Sequence, residues 1–217
     1  MRLLALSPAL AALAALASPA HARICAISGL DGAPTEIWRD GSWVDAGLGR
    51  LPKADLILRT GPEARVEITC DDAMIVTVGT MTEVNLETLA NPVQGSRDVI
   101  VQLIHGIIGL VAAKRPGRSV AVRTPLAIAA ARSTEWLAQV EGGASAVFVR
   151  TGAVAVRPVI GPTTDTATAT ATATATEVVL HATEGLTASA PGTLGPRTVW
   201  TAERVSRTRA ALGFGWR

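Results

Sequence analysis

The feature that most constrains this chain is a series of short apolar/polar alternations, separated by Gly-rich breaks, between residues 119 and 157. The alternating runs cover residues 119–123, 136–140, 146–150 and 153–157. A period of two residues between such breaks is typical of half-buried strands. Gly142-Gly143 and Thr151-Gly152 supply short connections. They predict antiparallel neighbours, because parallel strands need a longer crossover. Pro125 ends the first strand, since proline cannot donate to a ladder.

Other parts of the chain repeat this pattern. Trp38 and Trp43 flank an Asp-Gly turn signal, which predicts a hairpin. Residues 99–111 form a nearly continuous apolar run whose β-branched content and two glycines favour a strand over a helix. Residues 201–212 predict one short helix, ended by Gly213. This helix either docks on the strands or faces a partner or a membrane surface. The predicted class is all-β, with strands of roughly two to seven residues.

The first 22 residues have the composition of a secretory signal peptide. Arg2 precedes an apolar run, and Ala20-His21-Ala22 predicts cleavage after Ala22. No later stretch reaches about 18 uninterrupted apolar residues, so we expect no transmembrane segment in the mature chain. Cleavage removes one Arg and no acid, which leaves a formal net charge of +1. That balance gives no electrostatic reason to expect nucleic acid. We therefore expect a periplasmic or secreted protein.

The two cysteines, Cys25 and Cys70, have three alternative states. In an oxidising compartment an even pair favours a disulfide. It would close a loop of about 45 residues and contribute about 3–4 kcal/mol. Two buried free thiols are the second alternative. Lipid attachment at Cys25 is the third, although Arg23 and Ile24 fit poorly because a lipobox requires small residues before its cysteine.

The sequence contains no familiar catalytic or metal-binding pattern. It lacks a GxSxG elbow, a P-loop, HExxH, a GxGxxG in context, and CxxC or HxxxH spacing. We predict no enzyme activity, no cofactor and no metal site. Asp71-Asp72 is interpreted as a turn rather than a catalytic pair, and His105, the best candidate for a buried histidine, as a packed or edge residue rather than a ligand. Arg132 and Glu135 predict a structural ion pair or corner; the alternative is a site that contacts a peptide or a glycan.

An alternating Thr/Ala tract at residues 166–176 contains no large side chain. Such a tract cannot bury enough surface to offset the entropy of ordering it. We predict a flexible insertion in a hairpin at about residues 162–176; the alternative is a ribbon that extends the flanking strands. The predicted organisation is therefore a signal peptide (1–22), a β domain (23–194), and a C-terminal helix with an aromatic tail (195–217).

Several of these short patterns, taken together, resemble a FecR domain. They comprise a Thr-Pro pair, an Arg-x-Thr-x-Trp stretch, two V-x-V runs around a glycine, and an upstream Thr-Gly and Arg-Val. The matching residues are Thr60, Gly61, Arg65, Thr124, Pro125, Arg132, Thr134, Trp136 and Gly152. Ser133 and Ala73 stand where the family has glycine. The resemblance covers about residues 48–194.

The resemblance implies a twisted β-roll or solenoid-like sandwich in which these motif residues are structural. Many FecR-domain proteins are anti-sigma regulators with a cytoplasmic segment, one membrane span and an external sensing domain. Because this sequence shows neither of the first two, we expect a stand-alone secreted form. It would be a non-catalytic protein-binding or signalling-related module with an unknown envelope protein as partner, docking by β-augmentation at a strand edge. The alternative is a structural module that binds glycan in peptidoglycan, favoured if Trp38, Trp43 and Trp200 are exposed on one face.

Overall fold

A computed structural model describes the chain over residues 24–52, 56–70, 73–90, 98–111, 119–160 and 176–216. Within these ranges no helix has the length and apolar character needed to span a bilayer. The predicted signal peptide, the Asp71-Asp72 turn and nearly all of the Thr/Ala tract lie outside the described residues.

The described strands form two sheets that share one strand. Sheet A runs, from edge to edge, β4 (Gly49–Arg50), β1 (Cys25–Asp31), β6 (Arg65–Cys70), β7 (Ile75–Val78), β9 (Asp98–Val111), β12 (Glu135–Glu141), β13 (Ala144–Thr151), β16 (Glu184–Ala188) and β17 (Thr198–Val199). Sheet B runs β3 (Ser42–Asp45), β2 (Thr35–Arg39), β5 (Ile57–Thr60), β8 (Glu83–Asn85), β9, β10 (Ser119–Arg123), β11 (Ala127–Ala131), β14 (Ala153–Pro158) and β15 (Val178–His181). Among the described strands, every pair is antiparallel except β9 with β10. The all-β prediction is confirmed: the two sheets face each other as an open, roll-like sandwich.

Two helices and a 3₁₀ turn complete the described structure. Helix α1 (Glu87–Ala90) follows β8, and sequence analysis did not predict it. Helix α2 (Ala202–Leu212) begins at the N-cap Thr201 and ends at Gly213, as predicted. A 3₁₀ turn covers Phe214–Trp216.

Strand β9 belongs to both sheets because it bends at Gly106. Its first half pairs with β8 and β10 in sheet B, and its second half pairs with β7 and β12 in sheet A. The positions that face the main core change phase at the bend: they are Val99, Val101 and Leu103 before it, and Ile108 and Leu110 after it. Gly106 has φ of 91°, a conformation that favours glycine. At 14 residues, β9 is longer than the roughly two to seven residues predicted for the strands, since one strand serves two sheets.

Threonine hydroxyls hold the backbone at this bend. The hydroxyl of Thr82 accepts a hydrogen bond from the Ile107 amide at 2.9 Å, so it replaces a ladder partner where the strand changes sheets. The amide of Thr82 in turn donates to the hydroxyl of Thr60 at 3.0 Å, and that hydroxyl donates to the Gly79 carbonyl at 2.6 Å. Both threonines are buried. The motif residue Thr60 is therefore part of the support of the bend.

The connection at Thr151-Gly152 is a corner between the sheets. Its short length predicted that the flanking strands pair with each other, and that prediction is wrong. Strand β13 pairs with β12 and β16 in sheet A, whereas β14 pairs with β11 and β15 in sheet B. Gly152 has φ of 92°, and a Cβ there would lie 2.4 Å from the Thr134 methyl group. The turn at Gly142-Gly143, by contrast, joins the antiparallel pair β12 and β13, as predicted.

The main core lies between the sheets. The interior positions predicted from the central alternation are all buried with no exposed area: Trp136, Val147, Val149, Val154 and Val156. Strands β14 and β15 pair antiparallel, so residues 159–177 connect the two strands of a hairpin. Cys25 and Cys70 lie directly opposite each other on β1 and β6 and form a disulfide with an S–S distance of 2.00 Å.

A second core forms on the outer face of sheet A, under the C-terminal segment (residues 200–216). Three aromatic side chains of this segment sit on strand glycines. A Cβ at Gly109 would lie 2.4 Å from the Trp216 ring, one at Gly185 would lie 2.2 Å from Trp200, and one at Gly29 would lie 2.8 Å from Phe214. The predicted docking of the helix on the strands is therefore what the structure has.

We expect Gly106→Ala to lower the free energy of unfolding by about 3–4 kcal/mol, because a Cβ would meet backbone atoms of Met81 and Thr82 at 2.5 Å in a left-handed conformation. Gly143→Ala is the matched control. Gly143 also has positive φ, 77°, but a Cβ there has no neighbour within 4 Å. We expect the control to cost about 1 kcal/mol. Urea unfolding measures both, and equal losses would contradict the role of the bend.

Replacing Cys25 and Cys70 together by serine is expected to lower the free energy of unfolding by about 3–4 kcal/mol, because the loop of 45 residues is no longer closed in the unfolded chain. Thiol titration of the denatured wild-type chain distinguishes the alternatives directly. Two reactive thiols in the unreduced protein would mean that the cysteines are not joined.

Candidate functional site

The two sheets end in four edge strands within the described residues: β4 and β17 in sheet A, β3 and β15 in sheet B. An edge strand presents unpaired backbone groups, which makes it a template for another strand. Strands β4 and β17 have two residues each, too few for a stable added strand. Strands β3 and β15 have four residues each. These two are therefore the edges that can accept a partner.

Strand β15 is capped by side chains of its own chain. The guanidinium of Arg197 donates to the Val179 carbonyl at 3.3 Å, and the His181 amide donates to the Glu184 carboxylate at 2.7 Å. Arg197 and Glu184 also form an ion pair at 3.4 Å across the edge. Charged groups placed in this way are a common protection of sheet edges.

The outer edge of β3 has no comparable cap among the described residues. The amide of Ala46 donates to the Thr35 carbonyl at 2.9 Å, so Thr35 and Ala46 are a hydrogen-bonded pair of the ladder between β2 and β3. Because hydrogen-bonded and non-hydrogen-bonded pairs alternate, Trp43 and Asp45 direct their N–H and C=O groups away from β2. In the described structure no other group bonds to these outward-facing positions.

Beside this edge lies a cluster on the outer face of sheet B, which we call the edge cluster: Glu36, Trp38, Trp43, Asp45 and Arg59. The two indole rings meet edge to face with centroids 5.3 Å apart, and both are half-buried. The guanidinium of Arg59 lies 4.0 Å from the centroid of the Trp43 ring. Its Nε donates to the Glu36 carboxylate at 2.7 Å. Aromatic and arginine side chains of this kind dominate the binding energy of many protein interfaces.

The Arg59–Glu36 pair sets the charge state of the edge cluster. The hydrogen bond from Arg59 lowers the pKa of Glu36, and the same bond raises the pKa of Arg59. Both groups are therefore ionised at neutral pH. The Asp45 carboxylate has no ion-pair or hydrogen-bond partner within the described residues. The hairpin at residues 35–45 carries three acids and one arginine, a net charge of −2, although the whole chain has +2.

The family-motif residues are dispersed over turns and corners. Arg65 bonds the Ala211 carbonyl at the end of α2 at 3.1 Å. The Thr124 hydroxyl bonds Ala127 within the β10–β11 turn, next to the exposed Pro125. A Cβ at Gly61 would lie 2.5 Å from Pro34. Thr60, Thr134, Trp136 and Gly152 occupy the bend, the core and the corner described above. The structure does not bring these residues together in one binding site.

Glu135 forms the structural ion pair that was expected, with Arg150 at 2.6 Å, because β12 and β13 are neighbours in sheet A. Arg132 is exposed and takes no part in this pair. His105, expected to be a packed or edge residue, is exposed at the bend of β9 opposite Glu83. The described residues contain no group of three or more His, Cys, Asp or Glu side chains that could hold a metal ion.

Of the three tryptophans considered as a glycan platform, Trp200 lies apart from the others. It is buried, stacks on Phe148 with centroids 4.8 Å apart, and is covered by the Arg204 guanidinium at 3.6 Å. Burial in this position, with Arg207 nearby, lowers the pKa of Arg204. Trp38 and Trp43 lie on sheet B. Sequence analysis identified their hairpin but could not show that β3 ends a sheet, since its neighbours are distant in sequence.

Both departures from the family pattern occupy left-handed backbone: φ is 61° at Ala73 and 54° at Ser133. We expect Ala73→Gly and Ser133→Gly each to raise the free energy of unfolding by about 0.5–1 kcal/mol, because glycine adopts this conformation without steric cost. Ala153→Gly, in an exposed strand position, is the control and should lower stability by a similar amount. Thermal unfolding of the three variants measures the signs. A loss of stability in the first two variants would contradict the steric cost assigned to their left-handed backbone.

Comparison with known proteins finds a family model that matches part of this chain. Residues 57–155 match the family model described as FecR protein. Two crystal structures with a similar fold are described as those of a "putative anti-sigma factor" from Parabacteroides distasonis ATCC 8503, at 1.65 and 2.50 Å resolution. Each is 18% identical to this chain, with a TM-score of 0.52, and the match covers 69% of this chain and 62% of theirs. The match therefore spans less than two thirds of those proteins, and at this identity it shows the fold. No curated protein matches the sequence.

Proposed function

We propose that this chain, whose residues 57–155 match the FecR family model, is a non-catalytic extracytoplasmic module that binds a protein partner of the cell envelope and takes part in signalling. The observation that carries the proposal is the contrast between the two longer sheet edges. Strand β15 is capped by Arg197 and Glu184, whereas β3 presents the outward backbone groups of Trp43 and Asp45.

The edge cluster has the composition of a protein-binding surface. Tryptophan and arginine are enriched at the centres of interfaces, because they bury a large area and keep one polar group for orientation. Here Trp43 lies on the edge strand, and Arg59 is held over its ring by Glu36. A strand added to β3 would gain main-chain hydrogen bonds from the edge and side-chain contacts from Trp43.

The proposed location rests on two independent features. The sequence of residues 1–22 has the three regions of a secretory signal peptide. The opposed Cys25 and Cys70 form a pair that suits an oxidising compartment such as the periplasm. In such a compartment the disulfide fixes the start of β1 to the end of β6.

Binding of peptidoglycan glycan is the second candidate function. The observation that favours it is the half-buried pair Trp38 and Trp43 on the outer face of sheet B, because indole rings stack on sugar rings. The burial of Trp200 on the other sheet removes the third member of the expected platform. Arg59 also covers part of the Trp43 ring that a sugar would use.

The proposal is tested with the exported chain carrying a photo-reactive phenylalanine analogue at Ser42, irradiated in envelope extract. We expect an envelope protein to be cross-linked. Asp45→Pro should reduce the yield at least about tenfold, because proline removes an outward-facing N–H without breaking the ladder to β2. Asp45→Ala keeps that N–H, and Val179→Pro makes the same change at the capped edge. Both controls should retain most of the cross-link.

Co-sedimentation with purified peptidoglycan separates the two candidate functions. Binding of peptidoglycan that Trp43→Ala abolishes, with no protein cross-linked from the extract, would reject the protein-binding proposal. Equal cross-linking by wild type and Asp45→Pro would reject β3 as the docking edge.

A further inference from the structure

We infer that the segment recognised at β3 is an extended strand with the order basic–apolar–basic, an inference that rests on the proposed protein-binding function. The order follows from the alternation of side chains along β3. Trp43 and Asp45 point to the outer face of sheet B, and Val44 between them points to the core side. A strand paired with β3 places its own side chains on the same alternating faces.

The central residue of the recognised segment is expected to be apolar because it would lie beside Val44. This side chain pairs with the buried Ile37, yet it remains 36% exposed because no described strand covers the edge beside it. An apolar side chain of the partner strand would extend the main core by one position over Val44. A charged residue at this place would instead be partly taken out of water beside the apolar pair Val44 and Ile37.

The two basic residues are set by the charge and aromatic character of the outer face. Asp45 has no ion partner in the described structure, and Asp40 lies exposed in the turn of the same hairpin. The nearby cation, Arg59, is already paired with Glu36. A partner cation opposite Asp45 gains an ion pair, and a cation opposite Trp43 is attracted to the part of the indole ring that Arg59 does not cover. The net charge of −2 on residues 35–45 also attracts a basic segment during encounter.

The inference is tested by selecting a phage-displayed library of random 12-residue peptides on the immobilised exported chain. We expect the selected sequences to be enriched in two Lys or Arg residues separated by one apolar residue. Their binding should be lost on Asp45→Pro and kept on Val179→Pro. Chosen peptides should bind about fivefold more weakly to Asp40→Lys/Asp45→Lys, because the ion pair at Asp45 and the attraction by the net charge of the hairpin are both reversed. Glu203→Lys, an exposed acid on α2, should have little effect.

A second selection on the Asp40→Lys/Asp45→Lys chain is expected to lose the basic residue opposite position 45 and to yield an acidic residue there. Circular dichroism and thermal unfolding of that variant check that it folds as the wild type does. Selected sequences without a basic–apolar–basic bias, no selected sequences at all, or equal binding to Asp45→Pro would overturn the inference. The cross-link at Ser42 is a separate readout. If the cross-link depends on the β3 edge while the library shows no basic bias, the docking function stands and only the chemistry assigned to the partner fails.

Discussion

The fold depends on one strand that serves two sheets. Among the described strands, hydrogen-bonded ladders join β1–β8 to β10–β17 only through β9. The strand can do this because Gly106 turns it from one sheet into the other and changes the phase of its buried side chains. A side chain at that position would collide with the backbone at Met81 and Thr82. The absence of a Cβ therefore allows the two halves to close on a common core.

The C-terminal segment strengthens the same junction from outside. The Arg65 guanidinium and the Thr80 amide both donate to the Ala211 carbonyl, which joins this segment to the part of the chain before β9. Trp216 lies on Gly109 of β9 itself. The segment reaches the part of the chain after β9 where Trp200 lies on Gly185. Each aromatic ring replaces the side chain that its glycine lacks, so the segment covers the outer face of sheet A at β1, β9 and β16. The outer face of sheet B carries the edge cluster.

This arrangement leaves the molecule with unequal edges. The short strands β4 and β17 and the cap of Arg197 and Glu184 on β15 protect three of the four edges in the described structure. Strand β3 has neither protection. Edges without protection risk aggregation, so a protein that keeps one open is expected to use it. The acidic hairpin and the Trp–Arg contact give this edge a chemical preference that a bare ladder would lack.

Alternation with a period of two, together with the glycine and proline breaks, was sufficient to predict the all-β class, the core positions Trp136 and Val149, the Trp38–Trp43 hairpin and the C-terminal helix. These features depend on neighbours that are close in sequence, so local pattern is enough. The corner at Gly152, the bend of β9, the exposure of His105 and the pairing of Glu135 with Arg150 depended on which sheet each strand joins. A two-residue turn is compatible with a hairpin and with a change of sheet, because both need only positive φ and little space. The sequence by itself determined which residues are buried in strands. The tertiary structure alone decided which strands are neighbours, because pairing between distant segments is selected by packing of the whole core. Only the tertiary structure therefore placed β3 at an uncapped edge.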